Sequence, residues 1–201
     1  MFVPSVPSAS AHSRAGQLIV LAGPSGVGKG TLLARLLDRY PDVQVSVSAT
    51  TRSPREGEVN GQHYYFVKRE QFHAMIENGE LLEWAEFAGN CYGTPKQPIE
   101  TAIAQGQQVI LEIELMGARQ VRKTFPHAKQ IFVLPPSERV LEERIRSRGQ
   151  DSEEAIVKRL TQSKVELAAA DEFDVKIVND DVELALAELA LAVFGEEHSN
   201  N

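Results

Sequence analysis

The chain has 201 residues, of which 42% are apolar and 24% are charged, and this composition excludes a protein that is disordered throughout. One cysteine excludes a disulfide scaffold, and no apolar stretch approaches the roughly 20 residues of a membrane-spanning helix. The 21 Lys and Arg against 28 Asp and Glu give a net charge of −7. Because such a surface repels nucleic acid polymers and anionic membranes, any phosphate chemistry depends on local clusters of positive charge.

Both ends of the chain are predicted to be mobile, over residues 1–15 and 196–201. The first segment is rich in Ser and Pro and has neither an acidic residue nor an apolar period. Its first basic residue, Arg14, comes too late for a secretory signal and no apolar core follows, whereas a transit peptide stays open. Together with the lone Cys91, these features predict a cytoplasmic protein.

From Gln17 onward, short apolar runs alternate with longer helical patterns. Because these runs are apolar on both faces, they suit parallel strands covered by helices on each side. The sequence therefore predicts an α/β layered core. Strands are predicted at 18–21, 109–111, 131–134 and 175–178, and helices before Pro41, near 117–125 and at 182–194.

Two stretches interrupt this alternation. Residues 44–96 contain strand-like alternations at Val45 and Val47 and around Tyr64, a turn at Asn60-Gly61 and a short helix at 69–78, which predicts an inserted lobe with antiparallel pairing. The second stretch, residues 137–170, predicts two helices interrupted at Gly149. Its second helix is predicted to start with the capping pattern Asp151-x-x-Glu154.

The segment between the first predicted strand and helix is rich in glycine and contains a lysine. Glycines bring backbone N–H groups close to phosphate oxygens, the helix N-terminus adds partial positive charge, and Lys29 supplies a mobile cation. The order strand, loop, lysine and helix therefore predicts a site for the phosphates of a nucleotide. Its members are Gly23, Pro24, Ser25, Gly26, Val27, Gly28, Lys29, Gly30 and Thr31.

This loop departs from the pattern G-x-x-x-x-G-K-[ST] at one position. Gly30 stands where a hydroxyl normally contacts Mg²⁺. Two alternatives remain: Thr31 supplies the hydroxyl, or a water molecule bridges to the metal.

The rest of the chain must decide the class of phosphate chemistry. The N-K-x-D and D-x-x-G motifs of a Ras-like GTPase are absent. Instead, the chain contains the segments SATTRSPREGEVNG-x-x-Y at 48–64, LEWAEF at 82–87, GNCYGT at 89–94, GARQV at 117–121 and VNDD at 178–181. These segments resemble the guanylate kinase family of P-loop nucleoside monophosphate kinases, and the resemblance covers nearly all of residues 16–194.

The resemblance implies a three-layer P-loop core with a parallel five-stranded sheet, an inserted mixed or antiparallel GMP-binding lobe and a helical lid. It implies phosphorylation of GMP by ATP with Mg²⁺, producing GDP and ADP. The domain is expected to span residues 16–195. We expect the core at 16–47, 97–136 and 171–195, the GMP-binding lobe at 48–96 and the lid at 137–170.

Two arginines of the first matching segment are candidates for the acceptor phosphate. Arg52 and Arg55 place two forked, permanently charged donors close together, which suits a dianionic phosphate, although the same Arg-Ser-Pro-Arg sequence would also make a solvated turn. The resemblance adds Ser48, Tyr64 and Tyr92 to this phosphate group.

Glu83 is the candidate for recognition of the base. A carboxylate can accept hydrogen bonds from N1–H and N2–H₂ of guanine together, whereas adenine presents an acceptor at N1. The resemblance places Thr94 beside this contact. Glu112 and Glu114 stand where the family usually has aspartates. Glu112 is expected to orient metal-bound water or contact GMP, and Glu114 either shares this role or simply caps a helix or faces solvent.

The predicted lid contributes a second set of arginines. Arg144 and Arg148 are four residues apart and share a helical face, while Arg159 lies on the following helix. By resemblance these arginines neutralise charge on the transferring phosphoryl group, so with Lys29 and Arg52 they are the predicted catalytic residues. Asn179 resembles a family position near the adenine of ATP.

Two alternative functions remain at this point. A monophosphate kinase for another base is the first, and Glu83 argues against adenine. A guanylate kinase-like interaction module without catalysis is the second. Such modules have eroded phosphate loops, whereas this chain keeps Lys29, the loop glycines and the lid arginines.

Overall fold

The centre of the molecule is a parallel sheet of five strands, in the order β2 (Gln44–Val45), β7 (Gln108–Glu112), β1 (Gln17–Ala22), β8 (Lys129–Leu134) and β9 (Val175–Val178). The computed structural model describes residues 15–147 and 152–195. Strand β1 lies in the middle, between β7 and β8. The outer strands are β2 and β9. The predicted α/β fold with a five-stranded parallel sheet is confirmed.

Side chains of β1 alternate between two helical layers, as successive residues of a strand must. Ile19 and Leu21 pack in one apolar cluster, and Leu18 and Val20 pack in another on the opposite face of the sheet. Burial on both faces explains why the strands read as continuous apolar runs. The first cluster includes helices α1 (Lys29–Arg39), α5 (Glu138–Arg146), α6 (Glu153–Ala168) and α7 (Val182–Phe194), and the second includes α3 (Lys96–Ala104) and α4 (Leu115–Thr124).

A second sheet forms what we call the small lobe, together with helix α2 (Arg69–Glu77). One of its pairs is parallel and two are antiparallel, so the sheet is mixed. Phe72 of α2 is fully buried against this sheet, in the same apolar cluster as Cys91. The strand order is β4 (Tyr65–Phe66), β3 (Ala49–Thr50), β6 (Asn90–Pro95) and β5 (Leu81–Phe87).

One of the two placements of Val45 and the predicted start of one helix are wrong. Val45 lies in β2, within the core expected at 16–47 and not in the inserted lobe suggested by the pattern at 44–96, because it pairs in parallel with Ile110 at the edge of the core sheet. Helix α6 begins at Glu153 rather than near Asp151, because the Ser152 hydroxyl accepts the N–H of Ala155 at 3.3 Å and caps the helix.

Several predictions fall on residues that the structure does not describe. Residues 1–14 and 196–201 of the predicted mobile ends lie outside the described residues, as do Arg148, Gly149 and Asp151. None of the described helices is both long enough and apolar enough to cross a bilayer.

Candidate active site

The loop between β1 and α1 has a backbone that only glycine allows at key positions. Gly23, Gly26 and Gly28 have φ angles of 145°, 87° and 102°. A Cβ on Gly28 would lie 2.4 Å from Nδ2 of Asn179, and a Cβ on Gly23 would lie 2.5 Å from the carbonyl oxygen of Val133. The loop therefore closes tightly over the N-terminus of α1, where backbone N–H groups and the helix dipole attract an anion.

Lys29 is the first residue of α1, and its side chain turns back over the loop. Its Nζ donates to the carbonyl oxygens of Gly23 at 2.5 Å and Pro24 at 3.3 Å. Lys29 and Ser25 line a cavity of about 230 Å³. The cation is thus held at the predicted phosphate site by the loop itself.

Two residues predicted to act on ATP bind the backbone of this loop. The buried Asn179 donates from Nδ2 to the carbonyl oxygen of Val27 at 2.8 Å. Arg144 donates to the same oxygen at 3.2 Å and to the carbonyl oxygen of Asn179 at 3.0 Å. The structure therefore joins α5, the end of β9 and the loop. Of the other lid arginines, Arg159 is half-buried on α6.

Three carboxylates line the cavity that contains Lys29: those of Glu112, Glu114 and Glu166. Sequence analysis indicated Glu112 but missed Glu166. Glu166 is only 4% exposed, and burial raises the pKa of its carboxyl, with Glu114 raising it further and Lys29 opposing the shift. The sequence does carry a signal for the burial of Glu166, namely its helical spacing from Ser163, since both residues lie on the buried face of α6.

Glu114 stands at the N-cap position of α4, but its side chain makes no capping hydrogen bond. A capping role for the Glu114 side chain is therefore wrong. Its carboxylate is exposed and lines the same cavity as Lys29.

The surroundings of the loop suit Mg²⁺ bound together with phosphates. Among the described residues, no cluster of three or more His, Cys, Asp or Glu could hold a metal ion by itself. Mg²⁺ needs no such cluster, because it keeps several waters and uses one or two carboxylates plus substrate phosphates. Oxygen ligands are available from Glu112 and Glu114, and the exposed Thr31 hydroxyl lies beside Gly30, around which an added Cβ would meet nothing within 4 Å.

A second cluster of polar side chains forms around Arg52 in the small lobe. Its guanidinium donates to both oxygens of Glu58, at 2.8 and 3.0 Å, and to the carbonyl oxygen of Ser53 at 2.7 Å. These hydrogen bonds lower the pKa of Glu58 to about 2, and the carboxylate raises the pKa of Arg52. The two parallel hydrogen bonds to Glu58 fix the plane of the Arg52 guanidinium.

Two predicted tyrosines surround the same guanidinium. Its Cζ lies 5.5 Å from the ring centroid of Tyr64, which makes an edge contact with Tyr92 at 6.2 Å between centroids. Tyr92 is also near enough to Arg52 to help raise the pKa of its guanidinium. Arg52, Tyr64 and Tyr92, which the sequence assigned to one phosphate group, thus lie together.

The remaining predicted phosphate ligands, Ser48 and Arg55, belong to the same segment as Arg52, residues 48–64. Ser48 directly precedes β3, and its carbonyl oxygen accepts the N–H of Tyr65 at 2.9 Å. Arg55 is exposed, and its backbone N–H donates to Glu58 at 2.6 Å. Sequence analysis missed Glu58. The available signal was Gly57, whose φ of 83° allows a turn that brings Glu58 back to Arg55.

Glu83 is a buried acid, only 8% exposed, at the junction of the small lobe and the core. Thr94, itself fully buried, donates from Oγ1 to Oε1 of Glu83 at 2.5 Å. Oε2 faces Gly117 of α4 so closely that a Cβ there would lie 3.1 Å away. Burial raises the pKa of the Glu83 carboxyl, while the Thr94 hydrogen bond opposes that shift. The predicted pair of Glu83 and Thr94 is therefore in contact.

Comparison with known proteins gives one consistent result. A family model described as guanylate kinase matches residues 15–196. Guanylate kinase of Thermosynechococcus vestitus is 64% identical over 185 residues, covering 92% of this chain and 97% of that protein, and that of Synechocystis sp. is 62% identical over 182 residues, covering 90% and 95%. The crystal structure of guanylate kinase from Anaplasma phagocytophilum has a TM-score of 0.65 at 34% identity, covering 88% of this chain and 83% of that one.

Proposed function

Because the chain belongs to the guanylate kinase family and uses ATP to phosphorylate GMP to GDP, we propose that the small lobe binds GMP and the β1–α1 loop binds ATP. The observation that carries this assignment is the buried contact between Glu83 and Thr94. An acid with this degree of burial requires partners, and a nucleotide base can supply them.

The Glu83 carboxylate reads guanine through two adjacent donors. N1–H and N2–H₂ of the base pair with the carboxylate, and the Thr94 hydroxyl holds one of its oxygens. Adenine would place its N1 acceptor against the carboxylate, and in a buried site that mismatch is costly.

The cluster around Arg52 receives the other end of GMP. Arg52 offers the phosphate the edge made by its Nε–H and the second Nη2–H, which Glu58 and Ser53 leave open, Arg55 adds a second guanidinium, and the hydroxyl groups of Ser48, Tyr64 and Tyr92 donate to the remaining oxygens. Glu58 holds the Arg52 fork in plane. Binding at both ends fixes GMP so that its phosphate points toward the ATP site.

On the ATP side, this chain contributes mainly electrostatic stabilisation. Lys29 and the loop N–H groups hold the ATP phosphates, while Arg144, Arg148 and Arg159 counter the charge that develops on the transferring phosphoryl group. Asn179 acts by supporting the loop at Val27. Closure of the lobe at 48–96 and the lid at 137–170 excludes water, which would otherwise accept the phosphoryl group.

Mg²⁺ is the metal that we assign to the reaction, and the residues that would hold it beside the ATP phosphates, directly or through water, are Glu112, Glu114 and Thr31. When bound, it neutralises phosphate charge.

We also assign the enzyme to the cytoplasm, where a lone buried thiol such as Cys91 persists in reduced form.

A panel of nucleoside monophosphates tests the assignment of the base. With ATP as donor, the purified protein should phosphorylate GMP with a kcat/KM at least about 10³-fold above that for AMP, because the site rejects a mispaired base. A coupled assay of ADP formation measures both. Comparable rates with AMP would show that Glu83 does not select the base.

Replacement of Arg52 by Ala should raise the KM for GMP by about 10- to 100-fold, because a charge-assisted bidentate contact to the phosphate is lost. The KM for ATP should stay within about twofold. Steady-state kinetics with GMP as the varied substrate measure this. Arg69→Ala is the matched control, since Arg69 is an exposed arginine of the same lobe that pairs with Glu86. An unchanged GMP requirement in Arg52→Ala would remove Arg52 from the site.

A further inference from the structure

Strand β5 contains a bulge at the position of Glu83. Leu81 pairs with Pro95 of β6 and Trp84 pairs with Gly93, so β5 uses one more residue than β6 over this interval. β5 is also an edge strand of its sheet. The backbone around Glu83 therefore lacks the regular pairing that would fix the direction of its side chain.

Helix α4 supplies that pairing with a side chain. The N–H of Trp84 donates to Oε1 of Gln120 at 3.1 Å, and Nε2 of Gln120 donates to the carbonyl oxygen of Trp84 at 2.9 Å. The amide thus makes both hydrogen bonds that a neighbouring strand would make with one residue. On the other side of Glu83, Thr124 donates from Oγ1 to the carbonyl oxygen of Leu82 at 2.6 Å.

The same helix limits the position of the carboxylate itself. Gly117 of α4 lies against Oε2 of Glu83, and Thr94 of β6 binds Oε1. Gln120 and Thr124 hold the residues on either side. Helix α4, which belongs to the core, therefore sets the position of an acid that belongs to the small lobe.

We propose that Gln120 is a positioning residue that determines guanine specificity. By holding Trp84 at both backbone groups, it fixes the rotation of the bulge, so that both oxygens of Glu83 face N1–H and N2–H₂ of the base. This inference rests on the proposed role of Glu83. Trp84 is 40% exposed, so these hydrogen bonds lie at the surface. Their main effect is to fix the direction of the Glu83 side chain rather than to bury polar groups.

The test is Gln120→Met, which keeps the length of the side chain and removes both hydrogen bonds. The KM for GMP should rise about tenfold, because one or two hydrogen bonds are lost from the support of the site. The KM for ATP and the kcat at saturating GMP should change less than about twofold. The preference for GMP over IMP, which lacks the 2-amino group, should fall by at least about threefold.

Two further variants sharpen the result. Gln120→Glu keeps the acceptor for the Trp84 N–H and loses the donor to its carbonyl oxygen, so its KM for GMP should lie between wild type and Gln120→Met. Gln97→Met makes the same substitution at an exposed site on α3 and should leave all parameters unchanged.

The outcomes separate this inference from the proposed role of Glu83. If Glu83→Gln impairs GMP use but Gln120→Met changes neither the KM for GMP nor the preference over IMP, the inference is wrong and the role of Glu83 stands. If Glu83→Gln leaves GMP kinetics intact, the role of Glu83 itself is wrong. Equal changes in both KM values and in kcat, together with a lower Tm, would show that Gln120 is only structural and would also overturn the inference.

Discussion

Replacing Lys29 by Met is expected to lower kcat by about 10²- to 10³-fold, the usual cost of removing one preorganised electrostatic contact to a transition state. The amine lies 2.5 Å from the carbonyl oxygen of Gly23, so the loop holds it at the phosphate site before the reaction begins. Methionine keeps the length of the side chain and its packing. The fall in kcat therefore measures the contribution of the positive charge of Lys29.

The same substitution should leave the fold intact. The loop is also held at Val27 by Asn179 and Arg144, so the backbone of the loop does not depend on Lys29 alone. Tm should change by no more than a few degrees, and the KM for GMP should change little. Lys176→Met, at an exposed lysine of β9, is the matched control. A kcat within threefold of wild type would exclude Lys29 from phosphoryl transfer.

Replacing Glu83 by Gln should lower kcat/KM for GMP by at least about 10²-fold. Two charge-assisted hydrogen bonds are lost, and each is worth roughly 1.5–3 kcal/mol. The new amide also presents donors to the donors of guanine. The fold should persist, because the glutamine oxygen can still accept the Thr94 hydroxyl. Kinetics with GMP, IMP and AMP measure the effect on discrimination.

The pH profile gives an independent test of Glu83. Burial raises the pKa of its carboxyl above the ordinary 4.5, so the acid begins to protonate at milder acidity than an exposed glutamate. Only the ionised form accepts both guanine donors. As the pH falls through the raised pKa, kcat/KM for GMP should therefore fall, and this quantity reports the free enzyme.

The control for both measurements is Glu86→Gln, at an exposed glutamate of the same strand. It should retain wild-type kinetics and the acidic limb of the pH profile. In Glu83→Gln the part of that limb due to Glu83 should disappear, which leaves only the titration of the GMP phosphate at a pKa of about 6. An acidic limb that is the same in wild type and Glu83→Gln would assign the titration to another group.

Local sequence was enough to place the main parts of the site. The order of β1, glycine loop, Lys29 and α1 is contiguous, and its physics is local: positive φ angles, a helix N-terminus and a cation within one turn. The chemistry of guanine likewise pointed to a single acid, Glu83, and the resemblance to the family placed Thr94 beside it; the two are in contact.

Contacts between distant segments were not predictable in the same way. Arg144 and Asn179 reach Val27 across 117 and 152 residues, and nothing near either residue in the sequence indicates this. The placement of Val45 failed for a related reason, because its apolar alternation suits either sheet and only the pairing with Ile110 decides between them.

By itself, the sequence determined the fold class and the phosphate loop and predicted the acid that we propose selects the base, because periodicity, backbone conformation and hydrogen-bonding chemistry are properties of short segments. The tertiary structure alone decided that Glu58 holds Arg52, that Glu166 lines the cavity with Lys29 and that Gln120 supports the bulge at Glu83. Each of these depends on how separate elements pack together, which local pattern does not encode.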